Sequence, residues 1–471
     1  VSADWGAYLN AAEDNSDGAI TVVTSGAEDG ETVTITGNGD FPTDTCSVSS
    51  NTCTATIAAA DLQGLASGTT YTITVNVDDT AGNAATPDTG DTFIYDNVNP
   101  SIGITTVASD GYVNDDEDSS FTITGTSVGA VGQNVVVTYG GVTDADTITV
   151  GGDGSWTATF CDDEDCSGIS DGLIAVTANV DDAAGNSATQ GSTNAIQDTS
   201  DPTTSVTINT FSADTGSSST DWITKTAAGN VDADLSAALA SATSTATVET
   251  LEVSVDGGSS WATVSGGDIS GTDVLEGVTL GAGTSTVQFR VTDAAGNTAA
   301  AASQAYTLDT TAPTSSSASE ATSGSGNANN GDVVTITLDP SETVQQPTCT
   351  FTDGSGAMAD TSVTYGTTGS DSHTAAVTVA DGDQDGAVGF SCTYSDIAGN
   401  AIASAITAVT DGSAVTIDNT HPTSSAATIA VSGSGNGNNG DVVTLTLDPS
   451  ETVGTPTCTW TDGSGAMADT S

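Results

Sequence analysis

Basic side chains are almost missing from this chain. Lys225 and Arg290 stand against 62 Asp and Glu residues, giving a formal charge of −60. Gripping phosphates takes Lys and Arg, so no nucleic-acid partner is expected and an anionic membrane surface is a poor one. Histidine is limited to His373 and His421, and neither lies in a context that would hold an imidazole beside a nucleophile. The glycine-rich SGSGNANNG stretch lacks the P-loop lysine and any following helical pattern, which leaves a plain loop. No catalytic residue is assigned, and the chain reads as a non-enzyme. Long apolar runs are missing too: no eighteen-residue stretch could span a bilayer as a helix, so no membrane insertion is expected in this window. No secretion signal, sorting tail or Asn-x-Ser/Thr sequon is visible. Aromatics make up only 4%, so the cores are expected to be thin, with cross-links and metal ions mattering for stability.

What the chain does have is a loop-and-linker pair that recurs four times. DDTAGN (78–83) is followed by DNVNP (96–100), DDAAGN (181–186) by DTSDP (198–202), TDAAGN (292–297) by DTTAP (309–313), and SDIAGN (395–400) by DNTHP (418–422). A period near one hundred residues indicates an array of whole domains, because solenoid repeats are about 20–50 residues long. The charge then amounts to about −13 per repeat, well beyond the usual magnitude for a small domain. Such a surface is expected to need salt or divalent cations, which points to a saline setting. Acidic disordered tails lack the regular alternation of Val, Ile and Thr found here, so disorder is rejected.

Before each AGN loop the residues alternate with period two. Tyr71, Ile73, Val75 and Val77 face one way, and Ile174, Val176, Ala178 and Val180 repeat the pattern. Val287, Phe289 and Val291, then Val388, Phe390, Cys392 and Tyr394, complete the set. Gly and Asn at the loop suit a tight turn, and the linker proline ends the ladder. Short strands, turn signals and little helical pattern predict an all-β chain, a tandem array of Ig-like Greek-key sandwiches of about 100 residues each. Residues 231–242 fit either a short helix or a small-residue strand pair.

Several motifs carry a family resemblance. YLNAAE (8–13) matches YVNDDE (112–117). The third repeat has SADTG (212–216), DWIT (221–224) and VSVDGGSSW (253–261). SGSGNANNGDVVTITLDPSETV (323–344) returns as SGSGNGNNGDVVTLTLDPSETV (432–453). In these residues the chain resembles tandem bacterial immunoglobulin-like repeats of large prokaryotic surface proteins and adhesins. It departs from antibody domains, which pair cysteines around a core tryptophan in every unit. The expected domains are 1–100, 101–202, 203–313, 314–422 and a partial fifth at 423–471. The first repeat starts without the strand-like SIGITTV (101–107) of the second, and DGSGAMADTS (353–362) recurs at 462–471 where the sequence stops. Both ends therefore read as cut, with strand donation by a neighbour as the alternative.

The cysteines pair sensibly. Cys46 with Cys53 and Cys161 with Cys166 would close small loops, Cys349 with Cys392 would bridge two strands, and Cys458 is the fifth-repeat counterpart of Cys349. Disulfides imply an oxidising, extracellular setting.

Calcium is the sharpest site expectation, since Asp-rich turns supply the six to eight oxygens it takes. The resemblance implies a junction site joining an AGN-loop aspartate (Asp79, Asp182, Asp293, Asp396) to a linker aspartate (Asp96, Asp198, Asp309, Asp418). The competing reading is an Asx cap within the turn. A second candidate is Asp381, Asp383 and Asp385, whose D-x-D-x-D-G opening meets Cys392 at the twelfth position and so is not an EF-hand. A β-loop calcium site and a solvated acidic turn both remain open there. The clusters 115–118 and 162–165 are weaker candidates, read as solvated loops. Trp156, Trp222, Trp261 and Trp460 are read as core or edge residues before a carbohydrate platform.

The first expectation is thus a structural, cell-surface or secreted rod: a stalk, fibre, filament or sheath, calcium-stiffened, with copies of itself or other surface-layer components as partners. An adhesin that meets carbohydrate or a host or neighbour cell surface outside this window, a surface-layer subunit, and an accessory region of a secreted enzyme are the alternatives.

Overall fold

Alternating β-branched and small polar residues leave this chain little choice but strand and turn. The computed structural model describes every residue except 164, 242–247, 369–370, 463–464 and 467–471. Contacts divide the chain into two compact units: Val1–Asn209 with Val231–Glu276 and Thr286–Gln304, and Thr210–Asn230 with Gly277–Ser285 and Ala305–Ser471. The fold is all-β, with Ig-like β-sandwich segments.

In the first unit, residues 1–100 contain β1 (Ser2–Ala3), β2 (Tyr8–Asn10), β3 (Gly18–Val23), β4 (Thr32–Gly37), β5 (Asp44–Ser47), β6 (Thr52–Ile57), β7 (Thr69–Val77) and β8 (Asp88–Asp96). One sheet runs β1-β3-β6 and the other β2-β8-β7-β4-β5. On β7, Tyr71, Ile73 and Val75 are buried while Thr72 and Thr74 alternate outward. Two sheet faces of this kind can only hide their apolar residues against each other, and Ile20, Ile35, Tyr71 and Phe93 form that core.

Residues 101–202 repeat the plan with β9 (Ser101–Val107), β10 (Tyr112–Val113), β11 (Phe121–Val128), β12 (Asn134–Tyr139), β13 (Val142–Thr143), β14 (Ile148–Thr149), β15 (Ser155–Phe160), β16 (Gly172–Val180) and β17 (Gly191–Gln197). The sheets are β15-β11-β9 and β10-β17-β16-β12-β13, with β14 also on β12. Trp156 is buried over Gly125, where an added Cβ would lie 2.1 Å from the indole ring. No Asp or Glu falls within β9–β17; the acids among the described residues of this segment sit in its turns and loops. Still in this unit, Thr250–Ser254 pairs antiparallel with 288–292 and with Ala262–Thr263. Of the stretch 231–242, residues up to Leu235 belong to the strand Ala228–Leu235, 236–241 are not helical, and 242 lies outside the described residues.

In the second unit, Ile223–Thr224 runs parallel to 307–308. Ser315–Thr322, Val333–Pro340, His373–Thr378 and Thr364–Thr367 form one sheet in that order, and Thr348–Thr352 pairs with Gly389–Thr393. Their core includes Ile336, Leu338, Phe351 and Val377. Ser424–Val431 and Val443–Pro449 form a hairpin in the register of Ser315–Thr322 on Val333–Pro340. Covering strands make the difference between the two: Leu338 is 1% exposed, and its counterpart Leu447 is 38% exposed.

Three disulfides are formed: Cys46–Cys53, Cys161–Cys166 and Cys349–Cys392, the last between directly opposed strand residues. Cys458 is exposed and unpaired. No helix among the described residues is long and apolar enough to cross a membrane.

Candidate junction site

Each AGN loop is a turn built around its aspartate. Gly82, Gly185, Gly296 and Gly399 all have φ between 85° and 100°, a left-handed conformation in which a Cβ is strained. In the second loop, Asp182 Oδ1 accepts the N–H groups of Ala184 and Asn186 at 2.9 Å, and Oδ2 accepts Asn186 Nδ2 at 2.9 Å. Asp293 and Asp396 are used in the same way by Asn297 and Asn400. In the first loop, the Asn83 side-chain amide, ahead of the backbone N–H groups, holds the Asp79 carboxyl below its ordinary range. An Asx cap is therefore present in every loop. Whatever else these carboxylates do, they first close their own turns.

The loop asparagine reaches further. Asn186 Nδ2 also donates to the carbonyl of Asp96 at 2.8 Å, and its Oδ1 accepts the Ala11 N–H at 2.8 Å. Asn297 does the same with the Asp198 carbonyl at 2.8 Å and the Asp115 N–H at 3.0 Å. Asn400 donates to the Asp309 carbonyl at 2.7 Å. A short parallel strand positions the other side of each seam. β2 sets Asn10 opposite Asp96, and β10 runs parallel along β17 so that the Asp198 N–H reaches the Val113 carbonyl. Asn10 and Asn114 then donate to the Ala184 and Ala295 carbonyls at 3.0 and 2.9 Å. At the third seam Lys225 Nζ donates to the Gly399 carbonyl at 2.6 Å, and Thr215 Oγ1 to that of Ala398 at 2.8 Å.

The aspartates thus meet across seams, one repeat later than their order in sequence suggests. Asp182 comes to the Asp96 linker, Asp293 to Asp198 and Asp396 to Asp309, while the pairings Asp79 with Asp96 and Asp182 with Asp198 are not the ones these bonds make. The reason is length. β8 separates the first loop from its own linker by nine residues, about 30 Å of strand rise. Asp418 instead shares a cleft with Asp381, His421 and Glu451.

The third seam adds what sequence reasoning missed. Carboxylate oxygens of Asp309, Glu342 and Asp396 lie within 4.8 Å of one another, with Asp396 buried. Burial, and then the charges of Asp309 and Asp396, push the Glu342 carboxyl up. Glu342 lies in the PSETV stretch used only to align repeats, and nothing local in it signals a ligand. At the second seam, burial and then the Asp293 and Asp171 charges raise Asp198 against the lowering effect of the Ser200 N–H. A small cleft there is lined by Asp115, Asp116, Asp201 and Asn297.

The other candidates separate. Asp383 is buried and accepts the N–H groups of Ala359 and Ala380 at 2.6 and 2.8 Å. Asp385 accepts from Asn419 and Thr420 instead. Asp381 lines the Asp418 cleft, so the three are spread over different contacts. Trp156 and Trp222 are buried, and one face of Trp261 is covered by the Arg290 guanidinium, 4.2 Å from the ring centroid.

No family model matches the sequence, and no curated protein matches it. Among solved structures, the chain is similar to a calcium-stabilised adhesin with which an Antarctic bacterium binds ice: 21% identity, 87% of this chain and 96% of that one, TM-score 0.34. It is also similar to a tetra-tandem repeat from the extending region of a large adhesion protein (20% identity, 88% and 98%, TM-score 0.31). A third likeness is to a 1.5-MDa bacterial ice-binding adhesin (22%, 64% and 94%, TM-score 0.31).

Proposed function

We propose that the chain is an extracellular or cell-surface structural protein, a tandem Ig-like spacer whose seams are stiffened by calcium. The observation that carries this reading is the repeated cross-seam asparagine, which ties Asn186, Asn297 and Asn400 each to the linker before it. A chain built only to string domains together would not need a fixed geometry at every seam. The disulfides support an oxidising location.

The donor set at the third seam fits calcium. Three carboxylates within 4.8 Å supply hard oxygen ligands and up to three negative charges, which a divalent cation would offset. Asp309, Glu342 and Asp396 would hold the ion. Asp293 with Asp198, and Asp182 with Asp96, are the corresponding places at the other seams.

The test is calcium titration of the chelated chain, followed by melting temperature and solution scattering. Calcium should raise the melting temperature and lengthen the scattering profile, and joint Asp309→Asn and Glu342→Gln substitution should abolish part of both effects. Equal curves with calcium and with EDTA would remove the ion from the reading.

A further inference from the structure

A carboxyl sits in the core of the second unit at a place where the matching hairpin has an aliphatic side chain. Glu320 lies on the strand Ser315–Thr322, on the same buried face as Ala318, and is 8% exposed. In the hairpin of Ser424–Val431 and Val443–Pro449, Ile429 stands opposite Leu445 as Glu320 stands opposite Ile336. The exchange leaves one oxygen unserved. Oε2 accepts the Val415 N–H at 3.2 Å, and Oε1 has no partner among the described residues. An unserved buried oxygen is costly, and far more so once it carries charge.

Residues 407–415 run as a strap along the edge of that strand, on the side away from Val333–Pro340. The Thr410 N–H donates to the Ala318 carbonyl at 2.8 Å, and Thr410 Oγ1 accepts the Ala318 N–H at 3.0 Å. Ser413 Oγ accepts the Glu320 N–H at 2.7 Å. Val415 fastens the end, with its N–H on Glu320 and its carbonyl accepting the Val388 N–H. Thr407, Ala408, Thr410, Asp411, Gly412 and Ala414 are exposed. An exposed segment held by a few hydrogen bonds opens at low free energy. Lifting it gives Glu320 a route to water that the Ile336 side does not offer.

No charge of the surrounding elements offsets one on Glu320. Asp339, on the neighbouring strand, is exposed and engaged by Ser316 Oγ at 3.1 Å, opposite Ser317. Asp411, on the strap, is exposed and occupied by the Ser413 N–H and hydroxyl. His373 lies opposite Leu338, further along the sheet. Tyr394 donates to the Thr314 carbonyl, and Tyr365 Oη accepts the Cys349 N–H. Thr348–Thr352 and Gly389–Thr393 hold no ionisable side chain besides the disulfide pair. Burial accordingly raises the Glu320 carboxyl, against the lowering effect of the Val415 N–H.

We infer that Glu320 is a proton-operated latch: uncharged, it keeps the strap 407–415 down on the strand Ser315–Thr322, and ionised, it lifts the strap to reach water. The sign follows from burial. The neutral acid belongs to the closed form, so the strap is shut at acid pH and opens as pH rises through the raised value. Opening bares a strand edge with free N–H and C=O groups, so one proton decides whether that edge is available for pairing.

Hydrogen exchange of the full chain tests this, read by mass spectrometry at about pH 5 and about pH 8 with exchange times scaled for the intrinsic rate. Protection of the Thr410, Val415 and Glu320 amides should fall about tenfold or more between the two, while that of β11 stays level. Glu320→Gln should remove the pH dependence, and so should Glu320→Ile, which restores the residue of the matching hairpin and guards against a misfolded Gln variant. Asp411→Asn should leave the dependence in place. Level protection of the strap in the unaltered chain would overturn the inference. So would an equal fall in β11, a pH dependence that survives both Glu320 substitutions, or one that Asp411→Asn abolishes.

Discussion

The asparagine that ends the second and third AGN loops uses both ends of its side-chain amide across a seam. Asn297 Nδ2 donates to Asp293 Oδ2 and to the Asp198 carbonyl, and its Oδ1 accepts the Asp115 N–H. Asn83 has the bond to Asp79 without the cross-seam pair. Asn297→Ala should therefore cost about 1–3 kcal/mol, the range for leaving buried partners unsatisfied, and Asn83→Ala clearly less. Urea unfolding of the two variants measures the contrast, and equal losses would mean the cross-seam bonds contribute nothing. Glu320 gives a pH prediction. It is buried, its Oε2 accepts the Val415 N–H, and its Oε1 has no partner among the described residues. Burial raises its carboxyl above the ordinary value. An acid raised in the fold favours folding most below its unfolded pKa, and that contribution is lost as pH rises through the folded pKa. Glu320→Gln should accordingly gain stability near neutral pH and flatten the melting temperature's fall above the ordinary Glu range.

At the scale of elements, the third seam depends on a close backbone approach. Gly216 has φ 97°, and an added Cβ would lie 2.0 Å from the Ile397 carbonyl oxygen. Gly216→Ala should weaken this seam by about 1–3 kcal/mol or more, through strain and displacement together. Protection of the Ser217 N–H, which donates to the Ile397 carbonyl at 3.0 Å, should fall in hydrogen exchange, and unchanged protection would contradict this. The strands were legible because period-two alternation, as in Tyr71, Ile73 and Val75, is a direct imprint of one buried face. The ambiguous 231–242 stretch shows where that signal fails. Alanine suits helix and sheet interior alike, and only packing of Val231, Ala233 and Leu235 in a core decides. The seam partners were illegible for another reason. Sequence places Asp79 nearer Asp96 than Asp182 is, yet a strand of nine residues carries the linker to the opposite pole. Glu342 was hidden likewise, since it meets Asp309 and Asp396 only through the fold.

For the whole molecule, the formal charge of −60 is carried mostly by acids outside the cores, with Asp14, Asp182, Asp293, Glu320, Asp383 and Asp396 among the buried exceptions. In 101–202 the strands are free of Asp and Glu, and the outward positions of β11 are Thr122, Thr124, Thr126 and Val128. This sharpens the calcium experiment: monovalent salt should raise the melting temperature gradually by screening, whereas calcium should act at far lower concentration through the third seam. A calcium effect that salt of equal ionic strength reproduces would count as screening alone. The direction of the seams has one more consequence. Each AGN loop from Asn186 onward docks on groups of the segment before it, and those groups leave the ribosome first. Since domains fold as units from the N-terminal end during synthesis, every new segment closes its last turn against a neighbour already in place. Assembly of the array is then templated in one direction, each finished segment serving as the mould for the next.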